Sequence, residues 1–270
     1  MKKLFSIIPF LGLVTLLFTS CGSDLNDNNA NGKSQVGFYL TDAPIVKGYK
    51  AVNIDVKSIS FSTDSTNWVN LPIAGKVVEI TKFANGKDSL LSNIVLDAGV
   101  KVTQIRLLLG INNTIVLNDG TVKPLIVPSG YTSGLKLNVQ SVPSLTSGYK
   151  VLIDFDAARS IVARGNGSYS LKPVIRSYIQ ANTSFIDGYL SPAKEAVRVF
   201  TINTAGDTIS TVSDTLKNNY FRVSGLFSAN YKIQGQKINT GEIVTIKDNV
   251  SVIGGTDIHL STAEQPLLVP

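Results

Sequence analysis

From Val36 onward the apolar residues of this chain recur at every second position in short runs, and glycine, proline, Asn-Gly or Asp-Gly separates the runs. A period of two places alternate side chains on opposite faces of an extended segment, so each run buries one face. A series of short strands punctuated in this way is the pattern of sheets packed on sheets, not of a βαβ fold. The fold class is therefore all-β.

Taken in order, Val36-Gly37-Phe38-Tyr39-Leu40 makes a first strand that leads to the turn Thr41-Asp42-Ala43-Pro44. Residues 52–57 alternate cleanly, after which Ile59 and Phe61 take over the apolar phase; a β-bulge at Ser58 accounts for the slip. Residues 88–92 read as one helical turn. The most apolar long run, 100–109, has Lys101 near its start and Arg106 as its only interior charge, and belongs in the middle of the first sheet. Asn118-Asp119-Gly120 is a hairpin signal, with positive φ expected at both turn positions. Runs at 135–140 and 149–155 follow, and Gly165-Asn166-Gly167 divides two last strands that end near Ile179. Residues 181–184 are a polar break. A second strand-rich unit runs from 184 to 260, and 261–270 read as a tail.

Ahead of the strands, Met1-Lys2-Lys3, an apolar run to Phe18 and the small residues Thr19-Ser20 precede Cys21, the chain's one cysteine. This is the pattern of a lipoprotein signal peptide over 1–20, with Cys21 as the lipidated residue. Several acyl chains, palmitate among them, make a stable anchor at about 0.8 kcal/mol per buried methylene. Residues 21–35 are polar and rich in Asn and Gly, which suits a flexible tether. Gly22 stands where an inner-membrane retention signal has aspartate, and Ser23-Asp24-Leu25-Asn26-Asp27 resembles the acidic export signal of one Gram-negative group. The expected location is the outer membrane, lipid-anchored and facing the exterior.

Without Lys2 and Lys3 the 25 Lys and Arg become 23 against 19 Asp and Glu, a mature net charge of about +4. These charges are scattered and not interleaved with aromatics, so no nucleic acid is expected as a partner. With one histidine, His259, and a lipidated cysteine, the chain has no stock for a His-rich metal cluster or a Cys-His nucleophile pair. His259 reads as a surface histidine, and no cofactor is expected.

Asp154 and Asp156 lie two apart on a strand and share a face, where paired carboxylates bind calcium or do acid and base work. The structural alternative has Asp156 capping a helical turn over Ala157-Ala158-Arg159 and Asp154 pairing with an arginine. Trp68, Tyr131, Tyr189 and Tyr220 lie in or beside turns, where an exposed ring stacks on a sugar face. Arg222 is in phase with Tyr220 and shares its outward face.

Leu40-Thr41-Asp42-Ala43-Pro44, Gln104-Ile105-Arg106-Leu107, Gly134-Leu135-Lys136-Leu137, Asp154-Phe155-Asp156-Ala157 with Ser160-Ile161-Val162, and Leu171-Lys172-Pro173-Val174 together resemble the DUF4382 family over 36–180. That family consists largely of bacterial lipoproteins. Asn219 to Leu226, followed by Asn230-Tyr231-Lys232-Ile233, resembles the carboxypeptidase-regulatory-like domain, a transthyretin-like sandwich with a carbohydrate-binding-like fold, although Asn219 and Asn230 replace the usual glycines. The resemblances imply two β-sandwich domains, Ig-like and transthyretin-like. Asp64-Ser65-Thr66, Asp88-Ser89-Leu90, Asp207-Thr208-Ile209 and Asp214-Thr215-Leu216 resemble O-glycosylation acceptors, which implies modification at Ser65, Ser89, Thr208 and Thr215. The function expected is a non-enzymatic binding or scaffolding module for a glycan or an envelope protein. The alternatives are a carboxylate-dependent hydrolase or calcium-binding protein using Asp154 and Asp156, and a fimbrial or adhesin subunit.

Overall fold

Phe38 on β1 (Lys33–Ala43) and Phe61 on β2 (Tyr49–Ser62) meet with ring centroids 5.8 Å apart, yet four strands separate β1 from β2 in the hydrogen-bonded order of their sheet. The sheet must therefore fold over on itself and close around one core. The computed structural model in which this is seen describes residues 32–43, 49–128, 133–140 and 148–269. Cys21, the tether up to Asn31, and Tyr131 lie outside the described residues.

The remaining strands of this first unit are β3 (Val69–Asn70), β4 (Lys76–Glu79), β5 (Ser89–Asp97), β6 (Gln104–Leu109), β7 (Thr114–Leu117), β8 (Val122–Ile126) and β9 (Leu135–Gln140). After them come β10 (Tyr149–Asp156), the one-turn helix α1 (Ala157–Ser160), β11 (Ile161–Ala163), β12 (Tyr169–Leu171) and β13 (Ile175–Ile179). The order across the sheet is β11-β12-β8-β7-β2-β6-β9-β13-β10-β1-β5. β1 runs parallel to β10 and antiparallel to β5. Inward residues such as Phe38, Ile54, Ile105, Ile153 and Phe155 are fully buried, each stabilising the fold by roughly 1.5–3 kcal/mol.

The second unit is a sandwich of two sheets. β14 (Ser184–Ser191) carries β17 (Tyr220–Leu226) on one side and the short β20 (Ile258–His259) on the other, with β21 (Leu267–Leu268) also paired to β14. β15 (Val197–Asn203), β16 (Thr208–Val212), β18 (Ala229–Lys237) and β19 (Ile243–Val252) form the facing sheet. Ile186, Phe221 and Val223 from one sheet pack with Val199, Ile233 and Val252 from the other in a second core. Among the described residues no helix is long and apolar enough to cross a membrane.

Local readings meet the structure unevenly. The pairing of β2 with β6 shifts register between Val56 and Ser58, where the apolar phase slips. β6 is an interior strand, but it starts at Gln104 and not at Val100. Residues 88–92 are not helical: Ser89 opens β5, and a short 3-10 helix lies earlier, over Ile80–Phe83. At the Asn118-Asp119-Gly120 hairpin only Gly120 has positive φ, +86°. Its N–H bonds the Leu117 carbonyl and the Leu117 N–H bonds the Thr121 carbonyl, the geometry of a three-residue loop ending in a glycine bulge.

Chain ends and connector are more tightly held than their polarity suggests. Lys33, Ser34 and Gln35 already pair with Asp97, Leu96 and Val95, so strand structure begins inside the expected tether. Thr183 and Ser184, read as part of a polar break, are buried, and the Ser184 hydroxyl bonds the Ile253 carbonyl at 2.8 Å. The expected tail is docked: Val269 is buried and its N–H reaches the Ser191 carbonyl at 2.9 Å. Its Leu-Leu-Val sequence has apolar surface to bury, which a free tail lacks.

Candidate functional site

On β10, Ile153 and Phe155 point into the first core, which leaves Asp154 and Asp156 facing the second unit. Arg176, opposite Asp154 in the β10–β13 ladder, places Nε 2.7 Å and Nη2 2.6 Å from the same Asp154 oxygen. The guanidinium then crosses to β17, where Nη1 donates to the Gly225 carbonyl at 2.7 Å and Nη2 to the Ser224 carbonyl at 2.9 Å. Burial, the largest single influence, lowers the Arg176 pKa, but Asp154 together with Tyr178 and Tyr231 outweighs it and the net shift is upward. Asp156 caps α1: its Oδ1 accepts the Arg159 N–H at 2.9 Å. Burial raises the Asp156 pKa against the opposing pull of that N–H and of the Arg159 charge.

Both carboxylates line a cleft of about 590 Å³ between the two units, with Arg159, Arg176 and Arg198 around them. Three guanidinium groups stand against the three carboxylates of Asp154, Asp156 and Asp207, so the cleft offers a cation no excess of negative charge. Among the described residues no group of three or more His, Cys, Asp or Glu side chains is arranged to hold a metal.

A second constellation lies on the outward face of β14, β17 and β20. The β14–β17 ladder sets Tyr189 opposite Tyr220 and Asp187 opposite Arg222, while β20 brings His259 beside Asp187. The Asp187 carboxylate is held at both oxygens, by the Tyr220 hydroxyl at 2.9 Å and by His259 Nδ1 at 2.7 Å. Burial first, then the bond to Asp187, pushes the Tyr220 pKa up to about 12. The Tyr189 and Tyr220 rings are 5.3 Å apart, and Phe185 meets His259 edge-on at 5.6 Å. Arg222 lies over the Phe185 ring at 3.4 Å. The Arg222 side chain also passes close to Gly86 of the first unit, whose φ is +81° and where a Cβ would stand 2.7 Å from Arg222 Cδ, so glycine suits both the backbone and the approach. Asn85 locks this contact, its amide donating to the Val212 carbonyl and accepting from the Thr211 hydroxyl and the Arg222 N–H.

The structure thus brings Tyr189, Tyr220 and Arg222 together and adds Phe185, Asp187 and His259, the last of which reads from the sequence as a surface histidine only. Asp187 and His259 are 72 positions apart and meet through a parallel pairing of strands. The one signal available was an outward-phased aspartate between Ile186 and Gly188. Trp68 is elsewhere, on the first unit, with Arg106 4.1 Å and Lys136 5.6 Å from its ring centroid. Ser65 and Thr215 are exposed, whereas Ser89 and Thr208 are half-buried within strands.

Comparison with solved structures gives the Bacillus anthracis TIE protein at 8% identity and TM-score 0.21, over 84% of this chain and 34% of that one. It gives also BcpA, the major pilin subunit of Bacillus cereus, at 11% identity and TM-score 0.19, over 85% of this chain and 69% of that one. A fimbrial protein from Bacteroides ovatus aligns at 10% identity and TM-score 0.23, over 88% of this chain and 50% of that one. This chain spans about a third of the length of the first, and TM-scores this low establish no common fold. No curated protein matches the chain. The family model described as "Domain of unknown function (DUF4382)" matches residues 33–173, more than half of the sequence and all but the last strand of the first unit. The chain belongs to the DUF4382 family.

Proposed function

We propose that this chain is a lipid-anchored protein of the outer membrane, facing the exterior, that binds a glycan without chemically altering it. The binding surface is the outward face of β14, β17 and β20 in a second domain of the carboxypeptidase-regulatory-like kind. The observation that carries this reading is the preset arrangement of that face: Asp187 fixes Tyr220 and His259, and Arg222 is stacked on Phe185, so rings and planar donors are already in place. Side chains ordered before binding lose little entropy on contact, and an aromatic beside planar hydrogen-bonding groups suits the apolar face and hydroxyl edge of a sugar. The cleft carboxylates support the non-enzymatic part, because Asp154 is spent on Arg176 and Asp156 on capping α1.

Two assays test the proposal. Cys21→Ser should leave the chain unacylated and released from membranes, and protease shaving of intact cells should reach the wild type; continued membrane retention of the variant removes the anchor from the account. On an array of cell-surface glycans the wild type should bind a defined subset, and Tyr220→Ala should lose it while still folded. Equal binding by both would remove the face as the site.

A further inference from the structure

The cleft between the units holds a guanidinium that the rest of the protein leaves partly unused. Val197 and Val199 are buried in the second core, so Arg198 between them on β15 points out of it and into the cleft. Arg176 is held by Asp154, Gly225 and Ser224, whereas Arg198, its Cζ 5.3 Å from the Phe200 ring centroid, makes one hydrogen bond, from Nη2 to the Ser210 hydroxyl at 3.4 Å. Its Nη1 makes no hydrogen bond among the described residues, and its Nε, buried out of a ligand's reach, has no partner either. A guanidinium presents five donors in one plane and is matched best by a carboxylate bound through two parallel bonds. An unmet donor of this kind at a cleft wall is a vacancy for such an acceptor.

The surroundings narrow the class of ligand. Val174, Ile175, Ile209 and Phe227 give the cleft apolar walls, and its volume of about 590 Å³ accommodates a small molecule. Asp154, Asp156 and Asp207 line it as well, so a multiply charged anion meets repulsion that a single carboxylate, seated on Arg198, largely avoids. Asp156 is the group that already attracts Arg198 and competes for it. The geometry points to a binding site for a small monocarboxylate with an apolar body, its carboxylate on Arg198 and its body against Ile175, Ile209 and Phe227. This site is separate from the outward face of β14 and β17.

Calorimetry on the mature chain with phenylacetate and hexanoate as probes tests it, with 2-phenylethanol as the neutral counterpart of the first. Both acids should bind the wild type, and 2-phenylethanol about tenfold or more weaker, the loss that goes with a charge-assisted pair. Arg198→Met should lower acid affinity about tenfold or more, again from the missing pair. Asp156→Asn keeps the cap and removes the competing charge, so it should raise acid affinity. Absence of binding by both acids, equal binding of 2-phenylethanol, or acid binding unmoved by Arg198→Met in a variant with wild-type circular dichroism would each overturn the proposal. The comparison of acid with alcohol on the wild type stands even where a variant fails to fold.

Discussion

Arg176 neutralises Asp154 at 2.6 Å and with the same guanidinium holds the β17 carbonyls of Gly225 and Ser224, so one side chain ties the first unit to the second. Both partners are mostly sheltered, the Arg176 side chain 29% and the Asp154 side chain 14% exposed. Arg176→Met leaves a sheltered carboxylate unpaired and two carbonyls unmet, and should cost about 3 kcal/mol. Urea unfolding measures this. The wild type should unfold in one transition, whereas the variant should show the second unit separating from the first.

Asp156 offers a test of capping against chemistry. Asparagine caps a helix as well as aspartate does, so Asp156→Asn should leave stability within about 0.5 kcal/mol of wild type, while Asp156→Ala should cost about 1 kcal/mol. Calcium should move the melting temperature of neither the wild type nor the variants. Thermal unfolding with and without calcium gives both answers.

Tyr220 predicts the alkaline limit of the second unit. Its pKa is about 12 in the folded protein, against about 10 in an unfolded chain, so folding favours the protonated phenol. The stabilisation is complete below about pH 10 and is lost as the pH rises toward 12. Tyr220→Phe removes the bond to Asp187 and should be less stable than wild type at pH 8, with the difference shrinking between pH 10 and 12. Burial raises the pKa values of Tyr49, Tyr149, Tyr178 and Tyr231 too, which adds to the same trend. Urea midpoints across this range, with phenolate absorbance as the monitor of titration, are the measurement.

Gly86 separates backbone strain from contact. Gly86→Ala should cost about 1–2 kcal/mol for the left-handed backbone and more for the approach to Arg222. In an Arg222→Ala background only the first part should remain. A double-mutant cycle by urea unfolding reads the difference.

How much of this was legible in the sequence follows from what each feature depends on. The bulge in β2 and the interior place of β6 are written in local apolar phase, and phase was enough. Asp154 and Asp156 share a face because the strand period is two, though nothing local says that Arg176 is the arginine opposite. The span 88–92 misleads because Asp-Ser invites a turn, while pairing of Ser89 and Leu90 with Leu40 and Tyr39 overrides that preference. Residues 181–184 are polar, yet their hydroxyls are spent on carbonyls inside the protein, so polarity there does not mean exposure. Asp187 with His259, Arg222 with Gly86, and Arg198 with its cleft arise from contacts across strands or between units. Such contacts leave no period and no spacing in the chain.

The central claim, a glycan-binding face that does no chemistry, is tested most directly by calorimetry of the mature chain with the strongest glycan from the array, followed by mass analysis of the recovered sugar. The account predicts saturable binding that falls about tenfold or more in Tyr220→Ala, in keeping with a lost stacking ring, is unchanged in Asp154→Asn and Asp156→Asn, and returns the glycan intact. Binding undiminished in Tyr220→Ala, or cleavage of the glycan that disappears with Asp154→Asn or Asp156→Asn, would contradict it.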